Sequence, residues 1–284
     1  MKKFFLPAFL ILAVSLCRTG TEEEKAVQNE AGSMAEEEVY EEAVEEGMKL
    51  PPLIQATTLK SDYEAITSLG LAFTPLATKD EAQQAYENIL CSCVRVQVEG
   101  YYGSGSIYKM LENEIIIVTN RHVLQYWNED SYVTFFNGAV AGGEVLLISE
   151  EADVGFISVP VGAFTYEELL KYRNVRGAGA DTEQVKELSG GSRIFMVDMA
   201  SDWRNPVRMD GEIISPLIYL EDFQSEMLYG RGEAVPGMSG SGVFDGFGNY
   251  LGMLTGGTLQ GEIAAVPEKI VEEEHEKMLL KAEK

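Results

Sequence analysis

Histidine is almost missing from this chain: His122 and His275 are the only two in 284 residues. Chemistry that needs several imidazoles, multi-histidine metal centres included, is excluded. Cysteine is nearly as scarce, with Cys17, Cys91 and Cys93. Cys91 and Cys93 are one residue apart, where a mutual disulfide would be strained; they read as small buried free thiols. No spacing suggests a zinc site, and neither metal nor cofactor is expected. Positive charge is also in short supply, 22 Lys and Arg against 46 Asp and Glu, a net −24. Phosphates would be repelled, which excludes nucleic-acid partners and direct binding to anionic membranes. Finally, no run is long enough to span a bilayer: the longest opening run, Phe4–Leu16, falls short of the roughly 20 residues a spanning helix needs.

That run follows Lys2 and Lys3, the order of a secretory signal peptide, so export to the cell surface or medium is expected, with residues 1–17 as the leader. Val14-Ser15-Leu16-Cys17 resembles a bacterial lipobox, which would place a lipid on Cys17 and make it the one route to membrane attachment. Leu16 is larger than the small residue normal before that cysteine, and ordinary cleavage after Ser15 is the competing outcome. Residues 18–50 read as an acidic, unstructured linker. From Thr21 to Met48 there are eleven Glu and one Lys, too little apolar surface to order the chain.

Residues 51–85 form an N-terminal extension whose Asp80–Leu90 region has the spacing of a short helix, and folded structure is expected to begin near there. Beyond it the chain reads as all-β. Short runs such as Val94–Val98, Ile115–Val118, Tyr132–Phe136 and Val154–Val159 fall between Gly, Asn and Asp. A second set follows in Arg193–Val197, Val207–Ile214, Gly242–Asp245, Tyr250–Leu254 and Ile263–Val266, which favours barrels or sandwiches. The layout is one β unit over 86–162, a crossover over 163–187 with a helix at Tyr166–Tyr172, and a second unit over 188–266. Residues 267–284 read as a charged terminal helix that leaves His275, among four glutamates, in solvent.

Three segments carry chemistry. Pro236-Gly237-Met238-Ser239-Gly240-Ser241-Gly242 sets a serine in a glycine-flanked turn before a strand; Gly237 permits the backbone angles that aim N–H groups at a substrate carbonyl. Ser239 is preferred to Ser241 as nucleophile, because the residue two before Ser241 is a serine and not a glycine. Thr119-Asn120-Arg121-His122-Val123 puts a histidine at the exit of an apolar strand. Ala152-Asp153-Val154-Gly155 puts an aspartate at the entrance of another. Alone, each is as readily a turn or a satisfied core residue.

Together, in the order His, Asp, Ser, the segments resemble trypsin-like serine proteases, specifically the bacterial branch of HtrA-type proteases and glutamyl endopeptidases. Gly103-Ser104-Gly105, the hairpin from Phe244 to Met253 and the closing Ile263–Pro267 extend the likeness over roughly Cys93 to Pro267. The resemblance implies two six-stranded antiparallel barrels and a peptide-cleaving triad of His122, Asp153 and Ser239. It also implies an oxyanion hole from the N–H groups of Gly237 and Ser239, and protein or peptide substrates. Family register puts Glu233 near the base of the substrate pocket, hinting at basic P1 residues, with Thr255, Gly256 and Gly257 as walls. Met238 replaces the acidic residue that digestive relatives pair with a new N-terminus, so zymogen-type activation is not expected. Val123 replaces the loop-clamping cysteine of animal members. Only 45 residues follow Ser239, so no PDZ domain is expected; the oligomeric state is left open. The competing readings are an inactive scaffold kept as a binding module or adhesin, and an exported lipoprotein of unrelated β architecture.

Overall fold

A computed structural model of the chain describes residues 52–79, 81–177 and 188–282. The expected leader, the whole acidic linker, Cys17 and the second part of the crossover lie outside the described residues. Thirteen strands are assigned among them. β1 (Cys93–Val98), β2 (Tyr101–Met110), β3 (Glu114–Thr119), β4 (Tyr132–Phe135), β5 (Val140–Ala141), β6 (Glu144–Ile148) and β7 (Gly155–Pro160) form one sheet in the order β5-β4-β1-β2-β3-β7-β6. β8 (Arg193–Asp198), β9 (Val207–Leu220), β10 (Ser225–Gly232), β11 (Gly242–Asp245), β12 (Tyr250–Gly257) and β13 (Glu262–Pro267) close a barrel in the order β10-β13-β12-β11-β8-β9. The second unit is thus a complete six-stranded barrel, and the first is a curled antiparallel sheet of seven strands.

The apolar run of β3 shows why this packing forms. Ile115 and Ile117 join the interior cluster of the first unit with Val94, Val96 and Phe135. Ile116 and Val118, on the opposite face, join a second cluster with Phe156, Phe195 and Phe244. A strand buried on both faces carries no polar alternation, and here the outer face is the seam between the units. A third cluster, including Ile194, Met238, Leu254 and Ile263, fills the closed barrel.

Helices cover the ends. α1 (Pro52–Ser68) precedes α2 (Ala82–Ile89), the helix expected near Asp80. Ordered structure therefore begins well before Asp80, because Tyr63 of α1 is buried and its hydroxyl donates to the carbonyl of Leu111 at 2.7 Å. α3 (Arg121–Leu124) is a single turn after β3, and α4 (Tyr166–Leu169) starts at a capping box between Thr165 and Glu168. α5 (Glu268–Ala282) packs on β12 and β13. His275 corrects the expectation of a solvated residue: it is 4% exposed, its ring 5.0 Å from Tyr108 and 5.6 Å from Phe156. The face of α5 that turns inward is the one bearing His275, Val271 and Met278, and burial pushes the His275 imidazole, with help from Lys109, down to about 4. Cys91 and Cys93 are free thiols, Cys93 buried and Cys91 partly so.

Candidate active site

The seam brings the ends of four strands together. β3 ends at Thr119, and the turn of α3 begins two residues on, so His122 stands at the strand's exit. β7 begins at Gly155, with Asp153 just before it, and β3 pairs with β7 through Thr119 and Gly155. That register places the two side chains side by side. Nδ1 of His122 lies 2.8 Å from Oδ2 of Asp153, and the His122 backbone N–H donates to Oδ1 at 3.0 Å. Burial pushes the Asp153 carboxyl up, but the hydrogen bonds and charge of His122, with Arg121, outweigh it and hold its pKa below the usual value.

Ser239 reaches the seam from the closed barrel. Its loop begins with a turn in which the Met238 N–H donates to the Val235 carbonyl at 3.1 Å. Pro236 stands second and Gly237 third with φ +93°, the requirements of a type II turn. Met238 is fully buried in the barrel's apolar interior. The loop then docks on β2: the Ser104 N–H donates to the Ser239 carbonyl at 2.8 Å, and Ser104 Oγ donates to the Gly237 carbonyl at 3.0 Å. Gly240, at φ +93°, sits where a Cβ would overlap the Ser104 carbonyl oxygen and lie 2.6 Å from Thr119 Oγ1. Only glycine fits so close an approach of the two units. Among the described residues, the N–H groups of Gly237 and Ser239 donate to no protein acceptor.

His122 Nε2 is buried and bonded to no partner among the described residues, so its link to the Ser239 hydroxyl is not made in this structure. Ser241, the rival nucleophile, is 2% exposed and donates its hydroxyl to the Val197 carbonyl at 2.9 Å. Asn120, within the histidine motif, is fully buried. Its Nδ2 donates to the Asp153 carbonyl at 3.0 Å and to Thr255 Oγ1 at 3.1 Å, joining the aspartate loop of the first unit to β12 of the second.

Beside the couple opens a cavity of about 300 Å³ lined by His122, Asp153, Tyr126, Met227 and Thr255, with Asp222 and Phe223 from the β9–β10 hairpin. No local signal in the sequence marks Phe223 as a site residue; it arrives through the length of β9. Thr255 meets the site through Asn120 as well as through this cavity. Gly256 lies under Phe223, a Cβ there being 3.5 Å from the ring. Gly257 is outside that lining and faces Ala234, whose Cβ would be 2.9 Å from one built on Gly257. Glu233, expected near the base of the substrate pocket, is not among the residues lining this cavity. It is exposed, where water solvates a carboxylate that would otherwise need a buried cationic partner. Among the described residues, no group of three His, Cys, Asp or Glu side chains is placed to hold a metal.

No family model matches the chain, and no curated protein matches it. Solved structures do, in 486 chains. One is the crystal structure of Rv3671c from M. tuberculosis H37Rv, a serine-to-alanine mutant in an inactive form. It is 16% identical, with a TM-score of 0.55, over 72% of this chain and 96% of that one. The likeness shows the fold, and the chain has the trypsin-like, chymotrypsin-type double-barrel scaffold.

Proposed function

We propose that the chain is an exported serine endopeptidase that cleaves protein or peptide substrates through His122, Asp153 and Ser239, with the N–H groups of Gly237 and Ser239 as its oxyanion hole. The observation that carries the reading is the couple between His122 Nδ1 and Asp153 at 2.8 Å. It fixes the tautomer with Nε2 free to accept a proton. Ser239 Oγ attacks the scissile carbonyl as His122 Nε2 takes its proton; the same imidazole then protonates the leaving amine. Water, deprotonated by His122, attacks the acyl-enzyme and releases the acid. Catalytic hydrogen bonds commonly tighten only when substrate binds, so the unmade Ser239–His122 contact fits a resting site. A peptide series varied only at P1 tests whether Glu233 selects Lys or Arg there, and rejection of both overturns that preference.

Reaction with a fluorophosphonate probe decides the nucleophile. Labelling is expected in the native chain and in Ser241→Ala, and its loss in Ser239→Ala; a labelled Ser239→Ala protein overturns the assignment. Turnover in Ser239→Ala should fall by about a millionfold. A second reading, a scaffold that only binds, is favoured by the unbonded Nε2 of His122, and failure of the folded native chain to react would select it. Export, with a lipid on Cys17 as the means of attachment, is tested by mass measurement of the mature N-terminus.

A further inference from the structure

Away from the catalytic couple, a groove of about 540 Å³ runs between α5, the end of β2 and the segment that follows α1. One wall is acidic. Glu268, Glu272 and Glu276 stand one turn apart on α5, about 6 Å per step, and all three line the groove. The opposite wall and rim are apolar: Phe73, Leu111 and Leu279 remain 39%, 40% and 46% exposed. Tyr108 and His275 are also in the lining.

Among the described residues, no lysine of α5 pairs with this acidic wall. Glu273 pairs with Lys269 at 3.9 Å and Glu274 with Lys277 at 2.7 Å, so both lysines of those turns serve other faces of the helix. Among the described residues none of the three groove glutamates forms an ion pair. Burial, and then the neighbouring Glu272, push Glu268 up to about 7. Behind this wall the hydroxyl of Tyr250, fully buried, has no hydrogen-bond partner and lies in electrostatic reach of Glu268 and Tyr108. The bases nearby are Lys109, in the lining, and Arg176, which stacks on the Phe73 ring at 5.1 Å.

Like charges four residues apart destabilise a helix, and an exposed apolar rim beside them adds a surface that water solvates poorly. Both are relieved by one kind of occupant. We propose that this groove binds a basic, amphipathic peptide segment of a partner protein, with Lys or Arg on the glutamates and an apolar side chain on Phe73 and Leu279. Of the chain's own remaining segments, residues 1–20 hold Lys2, Lys3 and Arg18 with no acidic residue but are nearly all expected leader, and the two longer acidic segments are unsuited by charge. Thr21–Met48 has eleven Glu against one Lys, and residues 178–187 hold Asp181, Glu183 and Glu187 against Lys186. A second copy brings a further net −24.

The test uses the full chain carrying Ser239→Ala, so that no peptide is cut, and a short fluorescein-labelled peptide of alternating Lys and Leu read by polarisation. Binding in the micromolar range, about 10⁻⁵ M or tighter, is expected. Glu272→Lys with Glu276→Lys should weaken it by about tenfold or more, and Phe73→Ala should weaken it several-fold. Glu129→Lys with Glu226→Lys, both exposed and remote in sequence, changes net charge equally and should leave most of the affinity. Equal loss in the two double variants would mean attraction to the bulk negative charge and would overturn the proposal, as would no binding at all. Binding that vanishes when residues 21–48 are deleted and the groove is left intact would overturn it too.

Discussion

On the side that carries the His122–Asp153 couple, the first β unit meets the second through backbone: Ser104 to Ser239, Ser104 to Gly237, and glycine where a side chain would collide. On the side that meets α5, contact is made by side chains, with His275 between Tyr108 and Phe156 and Lys277 reaching Glu151 and Glu274. Backbone contact fixes distances closely and tolerates little change. Side-chain contact depends on charge state, and therefore on pH. The expected result is a site that mutation breaks abruptly, and a helix whose docking shifts gradually with conditions.

The largest effect should come from the couple itself. Asp153→Asn is expected to lower kcat by about 10⁴-fold with the fold intact, measured on any cleaved peptide beside a thermal melt. Gly240→Ala comes next: the collision with Ser104 and the positive φ should cost about 3 kcal/mol or more, through strain and lost docking. A denaturant titration would register it together with loss of probe labelling, whereas a native-like midpoint would break the contrast drawn between the two sides. Asn120→Ala should cost about 1–3 kcal/mol, since it leaves a buried carbonyl and a buried hydroxyl without their donor. If the amide also positions Asp153, kcat falls more than KM changes.

The α5 side should give the smallest effects, and they carry a pH window. Glu268 is raised to about 7 from 4.5. The unfolded chain loses its proton first, so this group's contribution to stability falls as pH rises from about 4.5 to 7 and is constant above. Glu268→Gln should then stabilise the protein at pH 8 by on the order of 1 kcal/mol, after solvent screening of a partly exposed group. His275 works in the opposite direction. Its folded pKa is about 4 against 6.5, so stability is lost as pH falls from 6.5 towards 4. Melts of Glu268→Gln and of the native chain across pH 4 to 8 would sharpen the comparison, and parallel curves would remove it.

The sequence carried the double-barrel scaffold because its information is local. The β3 run is apolar on both faces since both are buried, and the serine loop announces itself through glycines needed for close approach. Asn120 is different: its role depends on Thr255, 135 residues away, and no local pattern encodes that meeting. Phe223 reaches the cavity only because β9 is long enough to carry its hairpin there. His275 misled for a physical reason. Glutamates surround it in sequence, yet Glu274 is buried by pairing with Lys277, so an acidic stretch became an inward face. α1 was missed because it is held largely by Tyr63 and offers little apolar periodicity to read.

Lys277 holds one carboxylate from its own helix and another two positions ahead of Asp153, and these hydrogen bonds raise its pKa. An ammonium so retained is a poor nucleophile towards acylating reagents. Timed acetylation followed by mass spectrometry therefore gives a footprint of helix docking: Lys269 should be modified early and Lys277 late, and a rise in the Lys277 signal would mark the moment the helix lets go of the cleft.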